Sequence, residues 1–235
     1  MRQDRGNVNR ARSTQPAAAA GPPEETSRFP ELDRLVFFTD AVFAIAMTLL
    51  VVRIDVPHGP DYAQQVWAQW PKYLSFFISF SAVGLYWMGH HRIFRFIKRW
   101  DDGLLWLNLL LLLPIAFMPF PAAMIGEQGG HRISLIFYAA TLGSAGLINL
   151  LIWLYATRDR RLVDADLDAG LIRRHRLRGL VAPLVFFLSI PLSFVSMDAA
   201  YYSWLLIIVA QLALRRFEGR SAKSRSAADT ARRRP

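Results

Sequence analysis

Six stretches of this chain are too long and too continuously apolar for a water-soluble fold: residues 35–52, 73–90, 104–125, 133–155, 180–195 and 199–214. Crossing a hydrocarbon slab ~30 Å thick takes ~17–25 apolar residues at the helical rise of ~1.5 Å. A soluble domain would disperse its hydrophobic residues, here 53% of the chain, with helix or strand periodicity. Lipid offers no partner for a bare peptide group, so each block must close its own backbone hydrogen bonds as a helix. The expectation is an all-α membrane protein with six transmembrane helices. Only the Met197-Asp198 region parts the last two blocks, which makes them a tight hairpin, and Pro183 and Pro191 predict a kink in the fifth.

A formal charge of +10 would ordinarily suggest nucleic acid, but its placement argues otherwise. Of the 28 Lys and Arg residues, 25 fall on one side of the six proposed crossings, leaving Arg53, Lys72 and Arg132 on the other. That is the positive-inside asymmetry, with both termini cytosolic. The basicity expresses topology, and no nucleic-acid partner is expected. Residues 1–29 and 217–235 are rich in Arg, Ala and small polar residues and read as disordered basic tails around one six-helix domain, 30–216. No apolar segment precedes residue 35, which argues against a cleaved signal peptide. Cysteine is absent, so disulfides, thiolate metal sites and thiol catalysis are not expected.

Against this apolar background the polar residues stand out, because a charge at mid-bilayer costs at least ~2.5 kcal/mol and usually faces protein or water. Asp40 lies about 9 Å deeper than Arg34 at helical rise, on a different face of the first helix, so each must seek partners on other helices. Trp87, His90 and His91 at the end of the second block and Asn108 near the start of the third lie at matching depth. A hydrogen-bond and ion-pair cluster joining Arg34, Asp40, the histidine pair and Asn108 is expected. It would fix helix packing or, since histidine titrates near neutrality, sense protons. Adjacent histidines point to different faces and no HxxxH or HxxE pattern adds ligands, so no metal site or cofactor is expected.

Ala41, Ile45, Thr48 and Val52 recur at steps of four, three and four and share one helix face. Two readings of Thr48 are open on spacing alone. Either its hydroxyl bonds back to the carbonyl four residues earlier and merely packs, or it belongs to a pore lining of aliphatic rings and oxygens. No GxSxG, Walker loop, HExxH or paired carboxylates suggest an enzyme, and the TVGYG filter of ordinary potassium channels is absent.

Arg34-x-x-x-Phe38-Thr39-Asp40 with Ala44-Ile45 and Thr48-Leu49-Leu50 resembles the R-x3-F-S-D signature that opens the transmembrane protein 175 family. Trp87-x-x-His90-His91-x-x-Phe94 and Asn108-Leu109-Leu110 with Pro119-Phe120 are similar to that family's second- and third-helix motifs, and Thr39 stands where the family usually has Ser. The resemblance implies a potassium-conducting cation channel of unusual architecture in a bacterial plasma membrane. One six-helix unit would assemble as a homotetramer, whereas animal members carry two units and dimerise. It implies passive conduction of potassium ions through a pore lined by the first helix, with Ile45 at the constriction, Thr48 the threonine linked with potassium preference, and Ala41, Leu49 and Val52 beside them. Arg34, Phe38, Thr39, Asp40, Trp87, His90, His91 and Asn108 would be the network bracing that helix. A proton-coupled transporter using Asp40, His90 and His91, or a non-conducting membrane scaffold, is the alternative.

Overall fold

The computed structural model describes residues 30–214. Among them run eight α-helices: α1 (Pro30–Leu49), α2 (Tyr62–Ala68), α3 (Trp70–Phe94), α4 (Asp102–Phe117), α5 (Pro119–Gln128), α6 (Arg132–Thr157), α7 (Ala169–Leu192) and α8 (Met197–Ser203). After a turn at Trp204 the chain remains helical to residue 214. The described residues hold no β-strand, and the sole bridge pairs Ile97 with Val163 where the chain leaves α3 and approaches α7.

Local chemistry sets the helix starts. Pro30 opens α1 with a fixed φ, and Glu31 and Asp33 oppose the positive end of its dipole. Asp101 caps α4 by accepting the Leu104 N–H at 2.9 Å, and Asp168 caps α7 through the Leu171 N–H at 2.8 Å. Asp101 also accepts the Tyr155 hydroxyl at 2.8 Å and pairs with Arg161 at 3.1 Å, tying the start of α4 to the end of α6. Gly103 makes this reach possible, since a Cβ there would stand 2.1 Å from the Tyr155 oxygen.

Helix α6 is the hub, packed against α3, α4, α5 and α7, while α1 leans on α3 and α4, and α7 on α6 and α8. Close crossings at the hub need small residues. A Cβ on Gly143 would meet the Phe187 ring at 3.1 Å, and one on Gly146 the Tyr86 oxygen at 2.9 Å and Pro183 at 3.0 Å. Tyr86 uses the space to donate to the Leu142 carbonyl at 2.6 Å. The Ala139–Gly143 spacing in the fourth block therefore marks close packing, with Ala139 fully buried.

Among the described residues five helical spans are long and apolar enough to cross a membrane: Pro30–Arg53, Asp102–Gln128, Arg132–Arg160, Ala169–Leu192 and Met197–Leu214. Helix α3, at 25 residues, has the length without the mean hydropathy, because serines, Tyr86, Trp87 and two histidines dilute it. The third block breaks at Met118 into α4 and α5, where Pro119 and Pro121 begin a new helix. By contrast α7 runs as one helix through Pro183 and Pro191, the positions of the expected kink, and Pro183 is buried against Gly146. The loop 158–168 is stitched by Lys98 N–H to the Leu162 carbonyl at 2.8 Å and by Arg99 to the Val163 carbonyl at 3.1 Å. The two tails lie outside the described residues.

Candidate functional site

Helix α1 has two faces of opposite fate. Leu32, Leu35, Thr39, Phe43, Ala46 and Leu50 are buried against α3 and α4. Arg34, Phe38, Ala41, Ile45, Thr48 and Val52, at alternating steps of four and three, form an exposed stripe on the other side, joined by Phe37, Ala44 and Leu49. Ile45 is 57% and Val52 70% exposed, although every one of these positions except Arg34 and Thr48 is apolar. The Thr48 hydroxyl donates to the Ile45 carbonyl at 2.8 Å, three residues back and not four. With its proton directed into its own helix, the oxygen presents its lone pairs outward.

The buried face is riveted by three fully buried polar side chains from three helices. Asn108 of α4 donates from Nδ2 to the Thr39 hydroxyl of α1 at 2.7 Å, and Thr39 donates to the Leu35 carbonyl at 2.8 Å. The Asn108 carbonyl oxygen accepts from His90 Nε2 of α3 at 2.9 Å, which places the imidazole proton on Nε2. His90 stacks on Phe94 with ring centroids 4.1 Å apart, and its Nδ1 is buried with no hydrogen-bond partner. Each such contact inside a membrane protein contributes about 0.5–2 kcal/mol.

A second latch lies beside the first. Trp87 donates its indole N–H to the Asp40 carboxylate at 2.8 Å, joining α3 to α1 at an exposed position. His91 stacks on the Trp87 ring at 5.7 Å and leaves Asp40 to the indole.

The expected cluster is therefore realised in part. Thr39, His90 and Asn108 meet; Asp40 and Trp87 meet; His91 touches only the second pair. Arg34 departs from the expectation: it is exposed and makes no ion pair among the described residues, because its helical position belongs to the stripe. Phe38, 50% exposed, lies on the stripe as well. Phe94 was missing from the candidate set, although its position four residues after His90 predicts a ring contact. The described residues hold no group of three or more His, Cys, Asp or Glu able to bind a metal.

An all-helical bundle with several helices long and apolar enough to cross a membrane, one of them braced on its inner face and bare on the other, defines a multi-pass membrane protein. The TMEM175 family, described as the endosomal/lysosomal potassium channel TMEM175, matches residues 34–119, which hold all of the rivet and all of the stripe. A protein named as a potassium channel from Streptomyces collinus is 35% identical over 174 residues, covering 71% of this chain and 84% of that one. Another from Chamaesiphon minutus is 32% identical over 174 residues, covering 71% and 86%. The crystal structure of a lysosomal potassium-selective channel TMEM175 homolog from Chamaesiphon minutus superposes with a TM-score of 0.68 at 30% identity, over 78% of this chain and 98% of that one. The endosomal/lysosomal proton channel TMEM175 of Gallus gallus is 25% identical over 217 residues, spanning 83% of this chain and 43% of its own length. The chain belongs to the TMEM175 family: it is an integral multi-pass ion channel protein and not an enzyme.

Proposed function

We propose that this protein is a potassium-preferring cation channel that conducts passively through a pore formed by four copies, with the exposed stripe of α1 facing the shared axis. The single observation that carries the reading is the disposition of α1. The polar rivet on its inner face fixes the rotation of the helix. One defined side, a continuous stripe of apolar side chains with one hydroxyl, is thereby turned outward and left without a partner in the single chain. Cyclic assembly puts identical stripes around one axis. Ile45 then narrows the passage and Thr48 offers hydroxyl oxygens to a partly dehydrated ion. Relatives named as potassium channels support the choice of ion.

Six crossings with both termini cytosolic follow from counting α3 as the sixth. Its polar residues are spent inside the bundle: Ser75 donates to the Ala122 carbonyl, Ser79 bonds Tyr138, and Tyr86 and His90 have the partners given above. Those groups therefore lower its hydropathy without meeting lipid. The 43% of the Gallus gallus protein spanned by the match is in keeping with one unit here where that chain has room for two.

A proton-coupled carrier relaying between Asp40, His90 and His91 fits less well. Asp40 bonds Trp87, His90 bonds Asn108, and no hydrogen bond connects the two pairs among the described residues. Reconstitution into liposomes under a potassium gradient, with no proton gradient, tests the proposal. Potassium flux driven by voltage is expected, together with a tetrameric mass in detergent. Ile45→Ala should raise conductance and Thr48→Ala should lower the potassium/sodium permeability ratio. A strictly monomeric protein, or flux that requires a proton gradient, would overturn it.

A further inference from the structure

Helix α7 has the length to cross the slab only when part of its arginine-bearing N-terminal half is counted in. Its uninterrupted apolar part, residues 179–192, measures about 21 Å at helical rise against ~30 Å of hydrocarbon. Counting ~30 Å back from Leu192 reaches ~20 residues upstream, at the level of Arg173. The turns bearing Arg173, Arg174 and Arg176 are therefore drawn to the boundary between headgroups and acyl chains and do not stand free in water. Long arginine stems tolerate this depth by reaching outward.

The face these arginines occupy is open. Arg173, Arg174 and Arg176 are exposed, and from Arg173 the helix steps by four, three, four and four to Leu177, Leu180, Leu184 and Leu188, all exposed. The opposite side carries the packing: Ile172 accepts the Trp153 indole N–H, Gly179 abuts Leu150, and Phe186 is buried. Asp168 caps the helix and pairs with Arg174 at 3.5 Å, while Arg173 and Arg176 make no ion pair or hydrogen bond among the described residues. Helix α7 packs on α6 and α8, whereas α1 packs on α3 and α4, so the two open faces belong to different parts of the bundle.

We infer that this stripe is a binding site for an anionic phospholipid: Arg173 and Arg176, with Arg174 beside them, hold the headgroup phosphate, and Leu177, Leu180 and Leu184 carry an acyl chain. Cationic groups directly above a row of leucines match the two halves of such a lipid in sign and in depth. A free phosphate would use only the upper half.

Native mass spectrometry of the full chain, released from micelles doped with equal dioleoylphosphatidylglycerol and dioleoylphosphatidylcholine, tests the site. The wild type should retain phosphatidylglycerol preferentially, and Arg173→Gln and Arg176→Gln should each reduce that preference about fivefold. Arg173→Lys with Arg176→Lys should keep most of it, and unchanged melting in lipid-free detergent would show that the Gln variants fold. Arg158→Gln, an exposed arginine off the stripe, should leave it unaltered. An equal loss from Arg158→Gln, no loss from the stripe variants, or displacement of the lipid by inorganic phosphate would each overturn the proposal. None of these readouts depends on conduction, so the site stands or falls apart from the pore.

Discussion

Helices α1 and α6 both supply membrane-crossing spans, yet the structure treats them in opposite ways. The most apolar window of the α6 span is 61% buried within the protein, and that of the α1 span only 28%, although the α1 window is the more apolar. In water the oilier helix would take the centre. In a bilayer the acyl chains are as apolar as leucine, so oiliness reports depth in the membrane and not position in the bundle. What places α6 at the hub is its small residues, which admit neighbouring helices closely. What holds α1 is polar: the Thr39–Asn108–His90 chain and the Asp40–Trp87 latch. One helix is fixed by shape, the other by hydrogen bonds.

Breaking the shape-fixed helix should have the largest effect. Gly146→Leu pushes a side chain into the space held by Tyr86 and Pro183, and overpacking of this kind costs about 1–3 kcal/mol or more. A marked fall in melting temperature in detergent is expected, and an unchanged melt would show that the crossing is looser than drawn. Breaking the polar rivet should come next. Asn108→Ala strips partners from both Thr39 and His90 in a dry setting, at about 1–3 kcal/mol. Thr39→Val should cost less, since it breaks one inter-helix hydrogen bond, that from Asn108, where Asn108→Ala breaks two. Combining Asn108→Ala with His90→Ala should be non-additive, because the two share one bond; simple additivity in urea titrations would dissolve the rivet.

On the bare face of α1, Thr48→Ala should leave stability within ~0.5 kcal/mol, since its one bond is local and exposed. A change in permeability ratio without a change in melting would separate the two faces cleanly. The smallest effect belongs outside both helices. Asp55 accepts from Lys72 at 2.6 Å, and that hydrogen bond, then the lysine's charge, holds its carboxyl below the ordinary carboxylate value. A lowered folded pKa means the pair stabilises above the unfolded value near ~3.9, and the contribution is lost as pH falls through the folded value. Asp55→Asn should therefore melt slightly below wild type at pH 7, with the gap closing under acid conditions and shrinking in high salt. A gap that widens in acid would reverse the assignment.

Much of the site was legible because its residues are anomalous where they stand. Asp40, His90 and Asn108 are conspicuous in apolar blocks, and equal depth is enough to bring them to one layer. Their pairing was not legible. Depth gives a layer, but the partner within it depends on how each helix is rotated about its axis. Asp40 thus took an indole N–H and not a cation, and Arg34 was left on the open stripe. The surroundings of Pro183 in α7 depend on another helix in the same way: its missing backbone bond is local, while the packing against its ring comes from Gly146.

By itself the sequence determined that the chain is helical and membrane-embedded, which side its charges favour, and which side chains are out of place in lipid. These follow from length, hydropathy and charge, each a sum along the chain. Only the tertiary structure decided which face of α1 is riveted and which is bare, that α6 is the hub, and that α3 hides its polar groups. Inside a membrane the choice of partner rests on short-range shape and hydrogen-bond geometry between helices, and neither is written in any one of them.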